Sequence, residues 1–306
     1  MKLDGIAAFV AVAEAGSISE AARRLNLAKS VVSERLAELE RAVGTMLLHR
    51  TTRKLSLTED GAAFRERAVR IMREVEDAAA DLSERRGALT GPLRLSAPVT
   101  FGRMHLGPAL YPFLAANPGI ELTLDCDDRR VDAAADSYDA VVRHGPVADT
   151  RLVAWTLAPS RRRLVASPDY LDRHGRPASL ADLNGHRGIF YTNRGVADWR
   201  FPGPEGAVTV RAMVGLRVNN GDMMRDAAMA GLGIALLPTF IAGEAIAAGR
   251  LVVLPVGAEA EEEFIVMAHP EGRRPSAKLR ALAEHLRRAF GRPPYWDRIP
   301  ARPPGA

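Results

Sequence analysis

Short polar and basic side chains cluster on helical and turn-like patterns near the N-terminus of the sequence. In the stretch "LAKSVVSERLAELE", Ser30 and Ser33 lie on the polar side of a predicted helix, beside charged neighbours. A slim polar helix of this kind fits the major groove of DNA and reaches base edges, while a basic turn reaches phosphates. The candidate DNA contacts are Lys29, Ser30, Ser33, Glu34, Arg35, Arg50, Arg53 and Lys54.

A second set of polar side chains follows strand-like runs in the rest of the chain. "SAPVTF" follows the first run, "RHG" follows "YDAVV", "YTNRG" follows a short apolar run, and "NNGD" opens a helix. A guanidinium group and the amides at helix starts suit an anionic group such as a carboxylate. The alternative is that the "NNGD" side chains only cap a helix and that Arg143 pairs with an acidic neighbour. The candidate small-molecule contacts are Pro98, Val99, Thr100, Phe101, Arg143, His144, Tyr191, Thr192, Asn219 and Asn220.

The sequence offers little support for catalysis or metal binding. "GLG" at Gly231 precedes the strand-like "IALLP", whereas a dinucleotide-binding turn needs a strand, then glycines, then a helix. The histidines are scattered, no G-x-S-x-G motif accompanies them, and no group of His, Cys, Asp and Glu has metal-ligand spacing. We therefore predict no catalytic residue, no metal and no cofactor. The single cysteine, Cys126, is interpreted as a small hydrophobic residue on a strand rather than as a nucleophile.

The candidate DNA contacts belong to a helical segment, residues 1–58. Val32, Leu36, Leu39 and Val43 recur at spacings of four, three and four, which predicts one buried helix face and one exposed polar face. From periodicity alone, a helical hairpin with a solvated polar face remains the alternative to a DNA-binding helix.

Local signals mark the ends of the N-terminal helices. Gly16 suits the residue after the first helix, Ser19 is predicted to cap the second, and Thr58 is predicted to cap a later one. "RTTRK" followed by "LSL" predicts a small hairpin, with Leu55 and Leu57 turned inward. We call this predicted hairpin the wing.

A long helix is predicted over residues 59–90. Its apolar positions step by four, three, four, three and four residues, which is a heptad seam with arginine and glutamate elsewhere around the helix. We predict that this linker helix forms a dimer through the seam. A helix packed against its own domain is the alternative. The seam residues are Phe64, Ala68, Ile71, Val75, Ala78 and Leu82.

Over residues 91–290 the pattern changes to strands that alternate with helices. Such alternation is typical of an α/β architecture with largely parallel sheets, and its length suits two small lobes better than one sheet. Two-lobed α/β domains hold small ligands between the lobes. The last segment, residues 291–306, is dense in Pro and Arg, and we predict that it is disordered. The fold class is therefore α/β multidomain.

The overall composition is compatible with this division of the chain into domains, but it does not identify a function. A chain of 306 residues exceeds one typical core, and 47% hydrophobic with 26% charged residues is ordinary for a folded protein. The net charge is +5, but residues 1–58 carry +3 while residues 270–306 carry +6. Charge alone therefore does not identify a DNA-binding segment. No apolar run reaches bilayer length and the N-terminus is a poor signal peptide, so we expect a cytoplasmic protein with no membrane partner.

The segment "FVAVAEAGSISEAARRLNLAKSVVSERLAELERAVGTMLLHRTTRKLSLTEDG" resembles the winged helix-turn-helix of LysR-type transcriptional regulators, without gaps. The resemblance continues through the long helix into "NPGIELTL", "YDAVVR", "VASPDYL", "LNGHRGI" and "AAMAGLGIALLP", and covers residues 3–290. It implies a helix-turn-helix near Ser19 to Glu38, a linker-helix dimer, and a periplasmic-binding-protein-like pair of lobes that bind an effector. The partners it implies are double-stranded DNA, an anionic or aromatic effector, a second chain in a homodimer or homotetramer, and RNA polymerase.

Two residues depart from the family pattern. Ala28 stands where the family usually has Ser or Thr, so the recognition helix lacks a capping side chain worth about 1 kcal/mol. Glu34 stands where the family often has Arg or Lys, and it could accept from a cytosine amino group, pair with an arginine, or repel phosphate. The second hypothesis for the whole chain is a ligand-binding or catalytic α/β protein in which residues 1–58 serve only as a packing module.

Overall fold

The structure is a computed structural model, and it divides the chain into two compact units, Met1–Gly91 and Pro92–Ala306. The described residues are 1–50, 55–84, 88–129, 138–147, 149–197, 199–203, 206–271 and 275–298. The candidate DNA contacts Arg53 and Lys54 lie outside the described residues, as do the side chains of Arg50 and the seam residue Leu82.

The first unit consists of helices and one small hairpin. Leu55 and Leu57 are half-buried and pack against the core of this unit, as predicted, and Leu57 pairs with the fully buried Leu48. The elements are α1 (Leu3–Ala15), α2 (Ile18–Arg24), α3 (Lys29–Val43), β1 (Leu48–Arg50), β2 (Leu55–Leu57) and α4 (Glu59–Glu84).

The helix ends of the first unit follow local sequence signals, with one correction. Gly16 ends α1 in the left-handed conformation, with φ of 63°. Thr58 caps α4 through its Oγ1, which accepts from the backbone N–H of Gly61 at 2.9 Å. The prediction that Ser19 caps α2 is wrong. Ser17 is the cap because it has the extended backbone that a cap needs and accepts from the N–H of Glu20, whereas Ser19 already lies inside the helix.

The first half of the predicted dimer seam packs inside its own unit. Ala68 is fully buried, the ring of Phe64 meets that of Phe9 edge-on at 5.4 Å, and Ile71 packs against the same core. Ala68 is therefore covered by its own unit, whereas Phe64 and Ile71 are only half-buried, and their contact with a second chain stays a prediction. Further along α4, Val75 and Ala78 are exposed.

The second unit contains two five-stranded sheets and the helices that pack on them. The strands are β3 (Gly91–Ala97), β4 (Ile120–Cys126), β5 (Ala140–His144), β6 (Leu152–Ser160), β7 (Arg162–Ala166), β8 (Arg187–Tyr191), β9 (Arg200–Gly203), β10 (Gly206–Thr209), β11 (Met213–Val218), β12 (Ile234–Pro238), β13 (Val252–Val253) and β14 (Glu263–Pro270). The helices are α5 (Val99–Phe101), α6 (Gly107–Ala116), α7 (Pro168–His174), α8 (Gly221–Met229), α9 (Thr239–Ala247) and α10 (Ala277–Phe290).

The two sheets define two lobes. The first lobe has the strand order β4-β3-β5-β14-β6 and the second lobe has the order β11-β8-β12-β7-β13. The chain passes from the first lobe to the second at Arg161, between β6 and β7, and it returns before β14. Two lobes were expected from the length of the α/β segment.

The expectation of largely parallel sheets is wrong in part. β3 pairs in parallel with β5, and β8 pairs in parallel with β11 and β12. β14, however, is antiparallel to both of its neighbours, and so is β7. A helical crossover within one sheet makes parallel pairs, but the chain reaches β7 and β14 from the other lobe, so this constraint does not apply to them.

The C-terminal segment is ordered over residues 291–298, which corrects the prediction of disorder for that part. A 3-10 helix, Tyr295–Asp297, places Trp296 in an aromatic cluster where it is only 8% exposed. Its ring lies 5.2 Å from that of Phe290 in the first lobe and 6.4 Å from that of Phe240 on α9. Burial of a large aromatic side chain offsets the ordering cost that a Pro- and Arg-rich composition suggested. Residues 299–306 lie outside the described residues.

No single helix in the described part of the chain is long and apolar enough to cross a membrane. Taken together, α1 and α2 have the length and the apolar composition of a membrane span, but the two helices are bent by 119° at their junction.

Candidate functional site

Helix α3 of the first unit has the two faces that periodicity predicts. Val32, Leu36 and Leu39 are buried, while Ser30 and Glu34 are exposed on the opposite side. Lys29 is also exposed and Ser33 is half-buried, so the predicted polar face is open along the first two turns. Ala28 makes no side-chain cap to this helix, as expected from the absence of a hydroxyl.

The charged neighbours of α3 bear on one of the alternatives left open for Glu34. Among the described residues, no cation pairs with Glu34, so its carboxylate is not engaged by an arginine there. Arg35 instead lies beside α1, with its Nη2 3.2 Å from Oδ2 of Asp4. The pair is partly solvent-exposed and contributes little stability.

The hairpin is hydrogen-bonded to α3 through Glu40, a residue that the sequence analysis did not identify. Oε1 of Glu40 accepts from the backbone N–H groups of Leu47 and Leu48 at 2.9 and 3.2 Å. These bonds fix the start of β1 relative to the helix. A glutamate near the end of a helix gives no sequence signal for such a role, because the partner strand is defined only by the fold.

In the second unit, a cavity of about 320 Å³ lies between the two lobes, and we call it the cleft. Its walls come from the ends of β3, β5, β8 and β12 and from the starts of α8 and α9. Six of the ten predicted small-molecule contacts line it: Pro98, Thr100, Phe101, Arg143, His144 and Tyr191. Strand ends therefore converge on the cleft, as the sequence predicted.

The other four predicted contacts do not line the cleft. Val99 is half-buried, and its backbone N–H donates to Oδ1 of Asp128 at 3.0 Å. Thr192 and Asn219 are exposed outside the cavity. Asn220 caps α8, because its Oδ1 accepts from the N–H of Met223 at 3.1 Å. For Asn220 the structural alternative, a helix cap, is the one observed.

Arg143 is held by neutral groups and points its charge into the cleft. Its Nη2 donates to Oγ of Ser96 at 3.1 Å, and its Nη1 donates to the carbonyl of Val142 at 2.7 Å. Among the described residues, no carboxylate forms an ion pair with it, so the predicted alternative of an acidic partner is not observed. Burial lowers the pKa of Arg143, and the negative charges of Asp127 and Asp128 oppose that shift.

A largely buried cluster beside the cleft joins the two lobes. Arg194 of the second lobe donates two hydrogen bonds, both of 2.6 Å, to the carboxylate of Glu263 at the start of β14 in the first lobe. Nε2 of His144 lies 3.0 Å from Oε2 of Glu263, although the angle departs from that of a hydrogen bond. Nδ1 of His144 accepts from Arg194 at 3.4 Å.

The charges of this cluster follow from its burial. Burial lowers the pKa of His144, and the nearby Glu263 opposes that shift only in part. Burial alone would raise the pKa of Glu263, but the close approach of the His144 ring and the two hydrogen bonds from Arg194 outweigh it and hold this pKa well below its usual range. Near neutral pH the cluster therefore contains a carboxylate, a guanidinium and a neutral imidazole.

A second set of bonds also joins the lobes beside the cleft. Asp222, at the start of α8, accepts from Oγ1 of Thr100 at 3.2 Å and from Nη2 of Arg103 at 2.8 Å. Nδ2 of Asn193 donates to the carbonyl of Asp128 at 2.8 Å. These bonds link elements that follow strands of different lobes.

Several cleft residues were missed by the sequence analysis. "DDR" follows β4 directly, so the rule that selected "RHG" would also have found these three residues. Arg162 begins β7 at the crossing between lobes, and nothing in its sequence context indicates that the crossing borders a ligand site. Asn193, Arg194 and Gly221 lie within the quoted stretches "YTNRG" and "NNGD" but were not named as contacts. The missed lining residues are Asp127, Asp128, Arg129, Pro146, Arg162, Met224, Leu236, Leu237, Pro238, Phe240 and Ile241.

Cys126 ends β4 and is exposed, so the interpretation of a hydrophobic strand residue holds for its position and not for its burial. Partial burial and the charges of Asp125 and Asp128 raise its pKa, which disfavours the reactive thiolate. Among the described residues, no group of three or more His, Cys, Asp and Glu is placed to hold a metal ion.

Comparison with known families gives a match for each unit. Residues 3–62 match the bacterial regulatory helix-turn-helix proteins of the lysR family, and residues 86–291 match the LysR substrate binding domain. The transcriptional regulator DmlR of Escherichia coli is 33% identical over 293 residues, which cover 94% of both chains. The regulator YhjC of the same organism is 33% identical over 288 residues, which cover 93% of this chain and 96% of the relative.

Solved structures give the same result. CrgA, a LysR-type transcriptional regulator from Neisseria meningitidis, is 30% identical, with 95% of this chain and 97% of that chain covered and a TM-score of 0.56. Full-length LysG from Corynebacterium glutamicum, solved with bound effector Arg, covers 94% of this chain and 98% of that chain with a TM-score of 0.60. At 21% identity, LysG shows a likeness of fold alone.

The two matched regions cover most of the chain, and the relatives are transcriptional regulators rather than enzymes. The alternative of an α/β enzyme with an N-terminal packing module is therefore excluded. The DNA-binding unit and the effector-binding unit occur in one chain, and this protein belongs to the family of LysR-type transcriptional regulators.

Proposed function

We propose that this regulator contacts DNA through the exposed face of α3 and the wing, and that its effector is a small anion held in the cleft by Arg143. The observation that carries the proposal for the effector is the state of Arg143. Its guanidinium lines the cavity, is fixed by Ser96 and the backbone, and forms no ion pair among the described residues. A partly buried cation without a paired carboxylate favours an anionic ligand.

The rest of the cleft supports an effector with an apolar body. Phe101, Met224, Leu236, Phe240 and Ile241 line the wall, and apolar surface exceeds polar surface in ligand sites of this kind. A carboxylate at Arg143 would leave the remainder of the molecule against these side chains. Small aliphatic and aromatic carboxylates both fit this description and the volume of about 320 Å³.

The effector proposal is tested by thermal unfolding and calorimetry with a panel of small carboxylates. Arg143→Gln should abolish saturable binding of any carboxylate that stabilises the wild type, because the charge is lost while the side chain stays polar. Arg129→Gln is the matched control: Arg129 also lines the cleft, but it already pairs with Asp127 at 2.7 Å, so affinity should change little. Equal losses in both variants, or no loss in Arg143→Gln, would refute the assignment.

For DNA, we propose that the first two turns of α3 contact base edges and that the wing contacts phosphates. Exposure of Ser30 and Glu34 on the face opposite the buried one supports the first part. The order helix, turn, helix and hairpin supports the second, since winged domains place a basic hairpin beside the groove. The proposed contacts are Lys29, Ser30, Ser33 and Glu34 on α3, and Arg50, Arg53 and Lys54 in the wing; Arg35 is the weakest candidate because it faces Asp4.

A mobility shift with the upstream region of the gene, run over a salt series, tests the DNA contacts. Ser33→Ala and Glu34→Ala should change the preferred bases, whereas Arg53→Ala should weaken binding to all sequences and reduce the salt slope. Arg250→Ala in the second unit removes the same charge from an exposed pair with Glu244 and serves as the control. Uniform weakening by Glu34→Ala would contradict a base-reading role for that residue.

We also propose a homodimer through the distal half of α4, around Val75, Ala78 and Leu82. The exposure of Val75 at 40% supports this, since an apolar side chain on a helix surface favours a partner. Val75→Asp should give monomers in light scattering with an unchanged melting profile of the first unit. Ile71→Asp is a poorer test, because Ile71 packs in the core of its own unit.

Four further assignments are part of the proposal. The domains are residues 1–58 for DNA binding, 59–90 for the linker, 91–290 for the effector and a C-terminal segment after 290. We further propose that dimers assemble into tetramers, that the protein contacts RNA polymerase, and that it resides in the cytoplasm. Light scattering of the full chain with and without DNA tests the tetramer.

A further inference from the structure

A carboxylate of the protein itself, Glu263, lies beside the cleft, in contact with the lining residues His144 and Arg194. We propose that Glu263 is a specificity-determining residue that restricts the effector to a single negative charge. The inference rests on the proposed function, in which an anion occupies the cleft beside Arg143.

The first support is the balance of charges around the cleft. Within the part of the chain that the structure describes, four arginines line it: Arg129, Arg143, Arg162 and Arg194. Two aspartates, Asp127 and Asp128, line it as well, and Glu263 contacts Arg194 directly behind the wall. His144 adds no charge near neutral pH, because burial lowers its pKa. These seven charged groups leave one net positive charge, which one anionic group of a ligand neutralises.

The second support is the geometry at Arg194. Both hydrogen bonds from its guanidinium end on the two oxygens of one carboxylate, at 2.6 Å each, which is the bidentate arrangement that a ligand carboxylate would otherwise adopt. The side chains are 25% and 13% exposed, so water screens the pair weakly. The carboxylate of Glu263 thus occupies the guanidinium of Arg194, which a second carboxylate of a ligand would otherwise bind.

The third support is that this internal carboxylate stays ionised. The close approach of His144 and the two hydrogen bonds from Arg194 hold its pKa well below the usual range against the effect of burial. A second carboxylate on a ligand that approached Arg194 would meet a fixed negative charge across a few ångströms. Like charges in a weakly screened site repel, and such juxtaposition discriminates between ligands.

Glu263→Gln in the full-length chain tests the inference. The substitution keeps the shape and one acceptor for Arg194 but removes the negative charge. Glu262→Gln is the matched control, because Glu262 is the adjacent, exposed carboxylate and does not line the cleft. The probes are carboxylates of similar size with one or two charges: butanoate against succinate, and benzoate against terephthalate, measured by calorimetry and thermal unfolding.

The wild type and Glu262→Gln should bind the monoanion of a pair at least about tenfold more tightly than the dianion. Glu263→Gln should bring dianion affinity up by about tenfold or more and leave monoanion affinity nearly unchanged. Glu263→Asp, which retains the charge, should still exclude the dianion. This result separates charge from packing, because a purely structural role would make the shorter side chain behave like the glutamine.

Two results would overturn the inference. A wild type that binds dianions as tightly as monoanions refutes it without any variant, so it stays testable if Glu263→Gln fails to fold. Monoanion preference that persists in a folded Glu263→Gln also refutes it, and leaves the anionic effector at Arg143 intact. If neither class binds to the wild type, the proposed anionic effector itself is refuted, and the inference with it.

Discussion

Replacement of Trp296 by alanine should destabilise the second unit strongly, although sequence composition predicted disorder at this position. The indole is 8% exposed and its ring contacts those of Phe101, His105 and Phe290 at 4.7 to 6.0 Å. A buried aromatic side chain covers about 150–250 Å², which corresponds to roughly 4–6 kcal/mol as an upper value. Measured Trp→Ala losses of about 3–5 kcal/mol agree with that size.

The assay is calorimetric or urea unfolding of the full-length chain, with attention to the transition of the second unit. For a unit of this size each kcal/mol shifts Tm by about 2–4 °C, so Trp296→Ala should lower Tm by roughly 6–20 °C. Trp296→Phe is the control. Among the described residues, the buried indole Nε1 has no hydrogen-bond partner, so phenylalanine loses packing volume and no hydrogen bond. The free energy of unfolding should fall clearly less than in Trp296→Ala, because most of the aromatic contact area is retained.

The reasoning fails if Trp296→Ala lowers the free energy of unfolding by less than about 1 kcal/mol, since that would indicate a segment detached from the cluster. It also fails if Trp296→Phe and Trp296→Ala lose the same amount. Because Phe101 and Phe240 belong both to this cluster and to the cleft wall, the alanine variant should also bind effectors more weakly.

Three further predictions concern single positions. Ala28→Ser should raise the free energy of unfolding of the first unit by about 1 kcal/mol, because the extended backbone there suits a cap; no gain in urea unfolding would contradict this. Gly243→Ala should lower Tm, since a Cβ would lie 2.7 Å from the carbonyl oxygen of Trp296; an unchanged melting curve would count against that close approach. Burial lowers the pKa of His105, so the unfolded chain binds its proton first and stability should fall as pH drops below about 6.5. His105→Gln should flatten that slope in thermal unfolding, and an unchanged slope would refute it.

Local patterns predicted much of the first unit correctly. The apolar spacing of α3, the glycine after α1 and the cap at Thr58 depend on contacts within a few residues, which the sequence contains directly. Ser19 was misplaced as a cap because two serines two residues apart give the same signal, and only backbone conformation distinguishes them.

The heptad seam shows where a local pattern becomes ambiguous. An apolar stripe predicts that a helix face is covered but does not say by what. In α4 the half near Ala68 is covered by its own unit, while the half near Val75 is exposed. The apolar period of the sequence is the same in both halves of α4, so only the tertiary contacts show which half is covered by its own unit.

What the sequence by itself determined is the kind of protein: an N-terminal DNA-binding unit, a long helix, and two α/β lobes whose strand ends hold polar residues. Tertiary structure alone decided the charge of the cleft. Arg194 and Glu263 are 69 residues apart in the chain, and Arg194 and His144 are 50 apart. Periodicity reports neighbours within a turn or a strand, whereas the pairing of these groups depends on how two lobes close. For that reason Arg143 was found from its place after a strand, and the carboxylate of Glu263 was not.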